Sequence, residues 1–154
     1  MIRQTINDDH SAIMEIAIDS GLFEQGQTEL LRGMLECPDE DDIWFTHVQE
    51  GIPVGVAYLA PEKMTNGTWN LYWIAVHPRH QKQGLGKAML SHIQSWLMKK
   101  NQRILIVETA GLDQFNYVRK FYSDNGFSLE ARIREFYETG IDKVVFWKSL
   151  SNLD

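Results

Sequence analysis

The run Val76-His77-Pro78-Arg79-His80-Gln81-Lys82-Gln83-Gly84-Leu85-Gly86-Lys87 holds the residue types best suited to chemistry. It follows an apolar, strand-like stretch from Leu71 to Val76 and opens a helix-like one from Leu85 to Lys99. A strand, a glycine-bearing turn and a helix start together make an anion cradle. The first amides of a helix lack intrahelical acceptors, point the same way and carry partial positive charge. Gly84 and Gly86 have no Cβ, so a phosphate can approach the backbone closely. Pro78 ends the strand, because it cannot donate to a sheet ladder.

The charge pattern singles out the same region. The formal net charge is −6, yet residues 63–107 hold seven basic side chains (Lys63, Arg79, Lys82, Lys87, Lys99, Lys100, Arg103) and no acid. Residues 1–62 carry −11 and residues 108–154 carry −2. An acidic protein needs a local positive region to bind a strongly anionic ligand. A chance run of solvated lysines is the plainer account, and the overlap with the glycine turn favours the first. The overall acidity predicts no nucleic-acid partner, since such a partner demands a basic face.

The segment Gln81-Lys82-Gln83-Gly84-Leu85-Gly86, with its lead-in Trp73-Ile74-Ala75-Val76-His77-Pro78, resembles the acyl-CoA-binding signature of the GNAT (Gcn5-related N-acetyltransferase) superfamily, Gln/Arg-x-x-Gly-x-Gly/Ala. Asn116-Tyr117-Val118-Arg119-Lys120-Phe121-Tyr122, followed by Asn125-Gly126-Phe127, resembles that family's late helix. A bacterial branch of the superfamily shares Gly67 to Ile74 and Arg134-Glu135-Phe136-Tyr137. The order of elements matches over about residues 1–150. The resemblance implies a single N-acetyltransferase domain over 1–154. It implies an α/β fold with a mixed, largely antiparallel central sheet and helices on both faces. It further implies acetyl-CoA as co-substrate, no metal, and direct attack by a primary amine of a small molecule or peptide. The competing reading is a non-catalytic acyl-CoA-binding sensor or interaction module, against which intact Tyr122 and Glu108 weigh.

The family pattern then assigns roles. Gln81 leads the turn, and the amides of Lys82, Gln83, Gly84, Leu85, Gly86 and Lys87 hold the pyrophosphate, with the side chains of Arg79, Lys82 and Lys87 as further phosphate partners. Ile74, Ala75 and Val76 offer backbone groups to a pantetheine arm lying like an added strand. Tyr122 is the candidate general acid: a phenol of pKa about 10 protonates a thiolate of about 8.5 only slightly uphill. Its competing reading is a core aromatic beside Phe121. Glu108, the first acid after the acid-free block, is the candidate base; a strand-end carboxylate paired with a cation is equally compatible with its position. Two departures from the family stand out. Residues 110–114 make a longer segment, and the family's Asn seven residues before the Tyr is here Phe115. Asn116, one position off, is expected to reach CoA.

Trp69, Trp73 and Tyr137, with Phe136, are candidate walls for an acceptor, because aromatic faces attract ammonium groups. Core packing is the alternative for at least half of them. His77-x-x-His80 lacks a carboxylate or thiol partner and flanks a proline turn, so no metal is expected. The lone Cys37, beside Pro38 and the acidic run 39–42, reads as inert and suits a reducing cytoplasm. Neither a membrane span nor a signal peptide is expected, which points to a cytoplasmic protein. A homodimer is compatible with all of this.

The elements that must position these groups follow from periodicity. Ile2 to Ile6 reads as a strand, Asp8 or Asp9 as the cap of a helix running to about Ser20, and Gly26 to Glu36 as a second helix. Ile43 to Gln49 and Val54 to Leu59 read as a hairpin, and Trp69 to Val76, apolar on both faces, as a central strand. Leu85, Ala88, Met89, Ile93, Trp96 and Leu97 recur at helical spacing. Ile104 to Val107 reads as a buried strand, Phe115 to Tyr122 as a helix with Gly126 just past its end, and Ser128 to Tyr137 with Val144 to Lys148 as a closing hairpin.

Overall fold

The computed structural model describes residues 1–23 and 25–151. The elements run β1 (Ile2–Gln4), α1 (His10–Asp19), α2 (Thr28–Glu36), β2 (Ile43–Gln49), β3 (Ile52–Pro61), β4 (Thr68–Val76), α3 (Leu85–Lys99), β5 (Ile104–Ala110), α4 (Asn116–Asp124), β6 (Ser128–Glu138) and β7 (Ile141–Ser149). The strands form one seven-stranded sheet in the order β1-β2-β3-β4-β5-β7-β6. β4 pairs with β5 in parallel, whereas β1–β2, β2–β3, β5–β7 and β6–β7 are antiparallel. The sheet is thus mixed and largely antiparallel, as the resemblance implies. No helix among the described residues is long and apolar enough to cross a membrane.

Contacts gather into two compact units, the first Met1–Ala60 with Trp73–Ser95, the second Pro61–Tyr72 with the chain from Trp96 onward. In the first, alternation along β2 and β3 sends side chains to opposite faces. Trp44, Val56 and Tyr58, with Ala75 of β4, pack against Ile13, Ile16 and Ala17 of α1 and Leu31 and Leu35 of α2. On the other face Phe45 meets His92 of α3 edge to face, with ring centroids 4.9 Å apart. Gly55 lies under α3 so closely that a Cβ there would sit 2.9 Å from Met89 Sδ. Helices therefore cover both faces of these strands.

In the second unit, Thr68–Leu71 pair with Ile104–Val107, and β7 lies between β5 and β6. Leu71, Leu105, Val107, Val144 and Phe146 are fully buried. α4 ends as its glycine predicts. Gly126 takes φ +86°, its amide bonds Ser123 C=O at 3.2 Å, and the Phe127 amide reaches Tyr122 C=O at 3.1 Å. This doubly bonded helix end satisfies carbonyls that would otherwise lack partners. β6 is an edge strand of the sheet. Its register against β7 shifts twice, between Leu129 and Ala131 and between Ile133 and Glu138.

Helix starts differ from the sequence expectation. Short 3-10 turns at Asn7–Asp9 and Gln25–Gln27 precede α1 and α2, so α1 begins at His10 and α2 at Thr28. Asp9 makes no side-chain capping bond to α1. Its carboxylate, on a residue only 3% exposed, instead accepts from both Arg3 guanidinium nitrogens at 2.6 and 3.0 Å and from the Ile6 amide at 3.0 Å. A bidentate charged pair outweighs a cap.

Burial pushes the Asp9 carboxyl up, but Arg3 and the Ile6 amide outweigh it and hold the group below its ordinary range. A carboxylate with a depressed folded-state pKa adds stability above its unfolded value, and that stability is lost as the pH falls through the folded one. Asp9→Asn should therefore lower the unfolding free energy by about 1–3 kcal/mol at pH 7. Urea titrations at a series of pH values should show the gap to the native protein closing below about pH 4.

Candidate functional site

The turn between β4 and α3 is built by backbone conformation. The amide of His77 bonds Val54 C=O at 2.9 Å, which ends the strand. Pro78–His80 then form a 3-10 turn, and His77 Nδ1 accepts the Arg79 amide at 3.2 Å. Gln81 Nε2 donates back to Val76 C=O at 3.0 Å, tying the turn to the strand it leaves. Lys82 and Gly84 both adopt left-handed φ, +61° and +80°. A Cβ on Gly84 would have nothing within 4 Å, so the glycine is needed for its φ and leaves open space above the backbone. Gln81, Lys82, Gln83 and Gly84 are all exposed. The first rung of α3 runs from the Ala88 amide to Gly84 C=O at 3.0 Å. The amides of Leu85, Gly86 and Lys87 precede that ladder, and no acid stands in the first turn to compete for them.

β4 leads into this turn, with Ala75 buried and Ile74 and Val76 half-buried. Its pairing to β5 runs from Thr68↔Ile104 to Leu71↔Val107, and β4 continues beyond it to Val76.

Tyr122 sits on α4 and is 3% exposed. Its ring packs on Phe127 and Phe146, with centroids 5.5 and 5.9 Å away, and burial pushes its phenol well above the ordinary range. Glu108 lies on β5, and its Oε2 is 3.0 Å from Lys143 Nζ. Asn116 opens α4, where its Oδ1 accepts from Arg119. Arg119 also bonds the carbonyls of Ala110 at 2.7 Å and Leu112 at 2.8 Å, which holds the extended segment after β5.

The aromatic candidates separate. Trp69 is 9% exposed, meets Trp96 edge to face and donates its indole N–H to Gln102 Oε1 at 2.8 Å. Its surface is spent on packing. Trp73 is half-buried, with its ring 5.5 Å from Trp44 and 4.8 Å from Phe23. Tyr137 lies on β6, half exposed, beside Phe136. Burial and the Glu108 charge both push the Tyr137 phenol up.

His77, Glu15 and Asp19 offer ligand atoms within 4.8 Å of one another. His77 Nδ1 is already an acceptor, so in the neutral ring Nε2 carries the proton and faces Asp19 at 3.6 Å. A metal at Nε2 would need the opposite tautomer. Sequence reasoning missed Lys143. Its partner lies 35 residues away, and no local pattern connects the two.

A family model described as an acetyltransferase (GNAT) domain matches residues 39–129. The chain belongs to the GNAT acetyltransferase family. Among solved structures, a GNAT-family protein from Desulfovibrio desulfuricans is 27% identical, with a TM-score of 0.91 over 98% of this chain and 99% of that one. The ribosomal-protein-S18-alanine N-acetyltransferase of Escherichia coli is 22% identical, with a TM-score of 0.81 over 100% and 96%. The acetyltransferase YncA of Salmonella typhimurium, solved with its cofactor acetyl-CoA, is 16% identical, with a TM-score of 0.74 over 100% and 95%. The last two likenesses are of fold alone. No curated protein matches the sequence.

Trp69→Phe removes the bond to Gln102 and leaves a space where the larger indole packs against Trp96. Chemical denaturation should show a loss of about 1–3 kcal/mol, hydrogen bond and cavity together. An unchanged unfolding free energy would mean that Trp69 does not stabilise the fold.

Proposed function

We propose that the whole chain works as one acetyl-CoA-dependent N-acetyltransferase domain, moving an acetyl group to a primary amine of a small molecule or peptide by direct attack. The observation that carries this reading is the exposed turn at Lys82–Gly84, which opens α3 with unladdered amides and no nearby acid in its first turn. Each anion contact at a helix start contributes about 0.3–1 kcal/mol, so several amides acting together are required to hold a diphosphate. Arg79, Lys82 and Lys87 add charge there. The pantetheine arm runs along Ile74, Ala75 and Val76.

Acetyl-CoA supplies a thioester whose carbonyl carbon accepts the amine. The amine must first lose a proton, because an ammonium has no lone pair; Glu108 takes that proton, directly or through water. As the C–N bond forms and the C–S bond breaks, Tyr122 donates its phenolic proton to the leaving sulfur, and the second proton shed by the acylated nitrogen restores the phenol. Burial makes the phenolate costly and full transfer to sulfur more uphill than for a free phenol, so Tyr122 acts first as a hydrogen-bond donor to the charge developing on sulfur, and transfer is completed as the nitrogen's proton replaces the one given up. Trp73 and Tyr137 remain candidate aromatic contacts for the acceptor. The Escherichia coli relative takes a protein's alanine as its acceptor, which supports a peptide amine as one class.

Calorimetry with CoA should give heat, and acetyl-CoA should displace it. Gly84→Val should weaken CoA binding about ten-fold, with a folding cost of about 1–2 kcal/mol for a side chain at positive φ. Unaltered affinity in that variant, or no heat from the native protein, removes the turn from the mechanism. In a thiol-release assay over amines and peptides, Tyr122→Phe should lower kcat about ten-fold or more while acetyl-CoA affinity stays within about two-fold.

A further inference from the structure

Beside Glu108 stands a group of side chains that acetyl transfer does not by itself require. Lys143 is 8% exposed, its Nζ lies 3.0 Å from Glu108 Oε2, and the same ammonium sits 3.6 Å from the centroid of the Phe136 ring. Phe136 and Tyr137 are 50% and 47% exposed, and their rings meet edge to face at 5.1 Å. The backbone that presents them is bent out of register. Pairing of β6 with β7 breaks between Ile133 and Glu138, and Glu135 takes φ +52°. Asp142 holds this bend: Oδ1 accepts the Glu135 amide at 2.9 Å and Oδ2 accepts from Arg132 Nε at 2.6 Å. Glu135 Oε1 in turn accepts the Gly140 amide at 3.3 Å. Bulges re-aim side chains, and a left-handed non-glycine residue persists only where its surroundings enforce it.

Stability alone is a poor reason for the pair. A buried lysine matched to one carboxylate often gains nothing over an apolar residue of the same size. Two opposite charges flanked by exposed aromatic rings do match a ligand that carries both signs. Adjacent opposite charges suit an ammonium and a carboxylate carried close together on one ligand.

We propose that this cluster recognises an acceptor bearing a carboxylate beside its reacting amine, an α-amino acid with an apolar side chain. Lys143 takes the carboxylate, Glu108 takes the ammonium, and Phe136 and Tyr137 take the side chain. This rests on the acetyl-transfer reading with Glu108 at the amine. On binding, one internal ion pair opens into two external ones, so neither charge is left without a partner. An amine lacking the carboxylate has no such exchange to offer and competes with Lys143 for Glu108.

L-phenylalanine, L-phenylalaninamide and phenethylamine separate these cases in a thiol-release assay at saturating acetyl-CoA. The amino acid should exceed the other two in kcat/KM by about ten-fold or more. Lys143→Met should bring the ratio to within about two-fold, and Lys143→Arg should preserve it. The comparison in the native protein stands even if Lys143→Met fails to fold. Equal or better turnover of the amide or the amine overturns the proposal, as does a folded Lys143→Met that keeps the ratio. Release of CoA with spermidine or an alanyl peptide, with all three phenyl compounds inert, overturns it while leaving acetyl transfer intact. If CoA binds and no amine releases it, the transfer reading fails, and this proposal fails with it.

Discussion

The constraint on which the site depends is the speed with which the chain changes from strand to helix after β4. Between Val76 and Leu85 it closes a 3-10 turn and passes twice through the left-handed region. At Gly84 that passage is free of Cβ strain; at Lys82 it costs about 1–2 kcal/mol. The burial of Leu85, Met89, Leu90, Ile93 and Leu97 along α3 outweighs that cost by anchoring the helix that follows. The helix start is thereby fixed in place, with its first amides ahead of the helix ladder. Gln81 contributes by folding its side chain back onto Val76, so the last strand carbonyl is satisfied within the turn itself.

Much of this was legible in the sequence because it is local. The helix Leu85–Lys99 has the expected bounds, since its apolar residues recur at helical steps and glycine precedes it. The closing hairpin and the glycine past α4 were readable for the same reason. The turn before α1 was not, because the Asp9 carboxylate answers to Arg3 of β1 and not to its own helix. Lys143 was invisible for a related reason. Its partnership with Glu108 arises from the register Glu108↔Val145 between two strands, which composition does not encode.

Tyr122 shows why the choice between packing and chemistry can be a false one. The two readings its sequence context allows, a core aromatic and a proton donor, make different demands on different atoms. The ring fills space between Phe127 and Phe146, while the hydroxyl is the only part that catalysis would use. Trp69 offers no such division, because both its ring and its N–H already have protein partners.

The bends in β6 have a further effect, unconnected with ligands. An eleven-residue strand at the end of a sheet, with Leu129 and Ile133 facing solvent, would be an inviting template for another chain. Two register breaks and the charged side chains of Glu130, Arg132, Arg134 and Glu135 deny it a straight, neutral rim. The contortion that lifts two aromatic rings also guards the molecule against fibrous self-association. Straightening this strand would trade away protection that no inventory of the core would reveal.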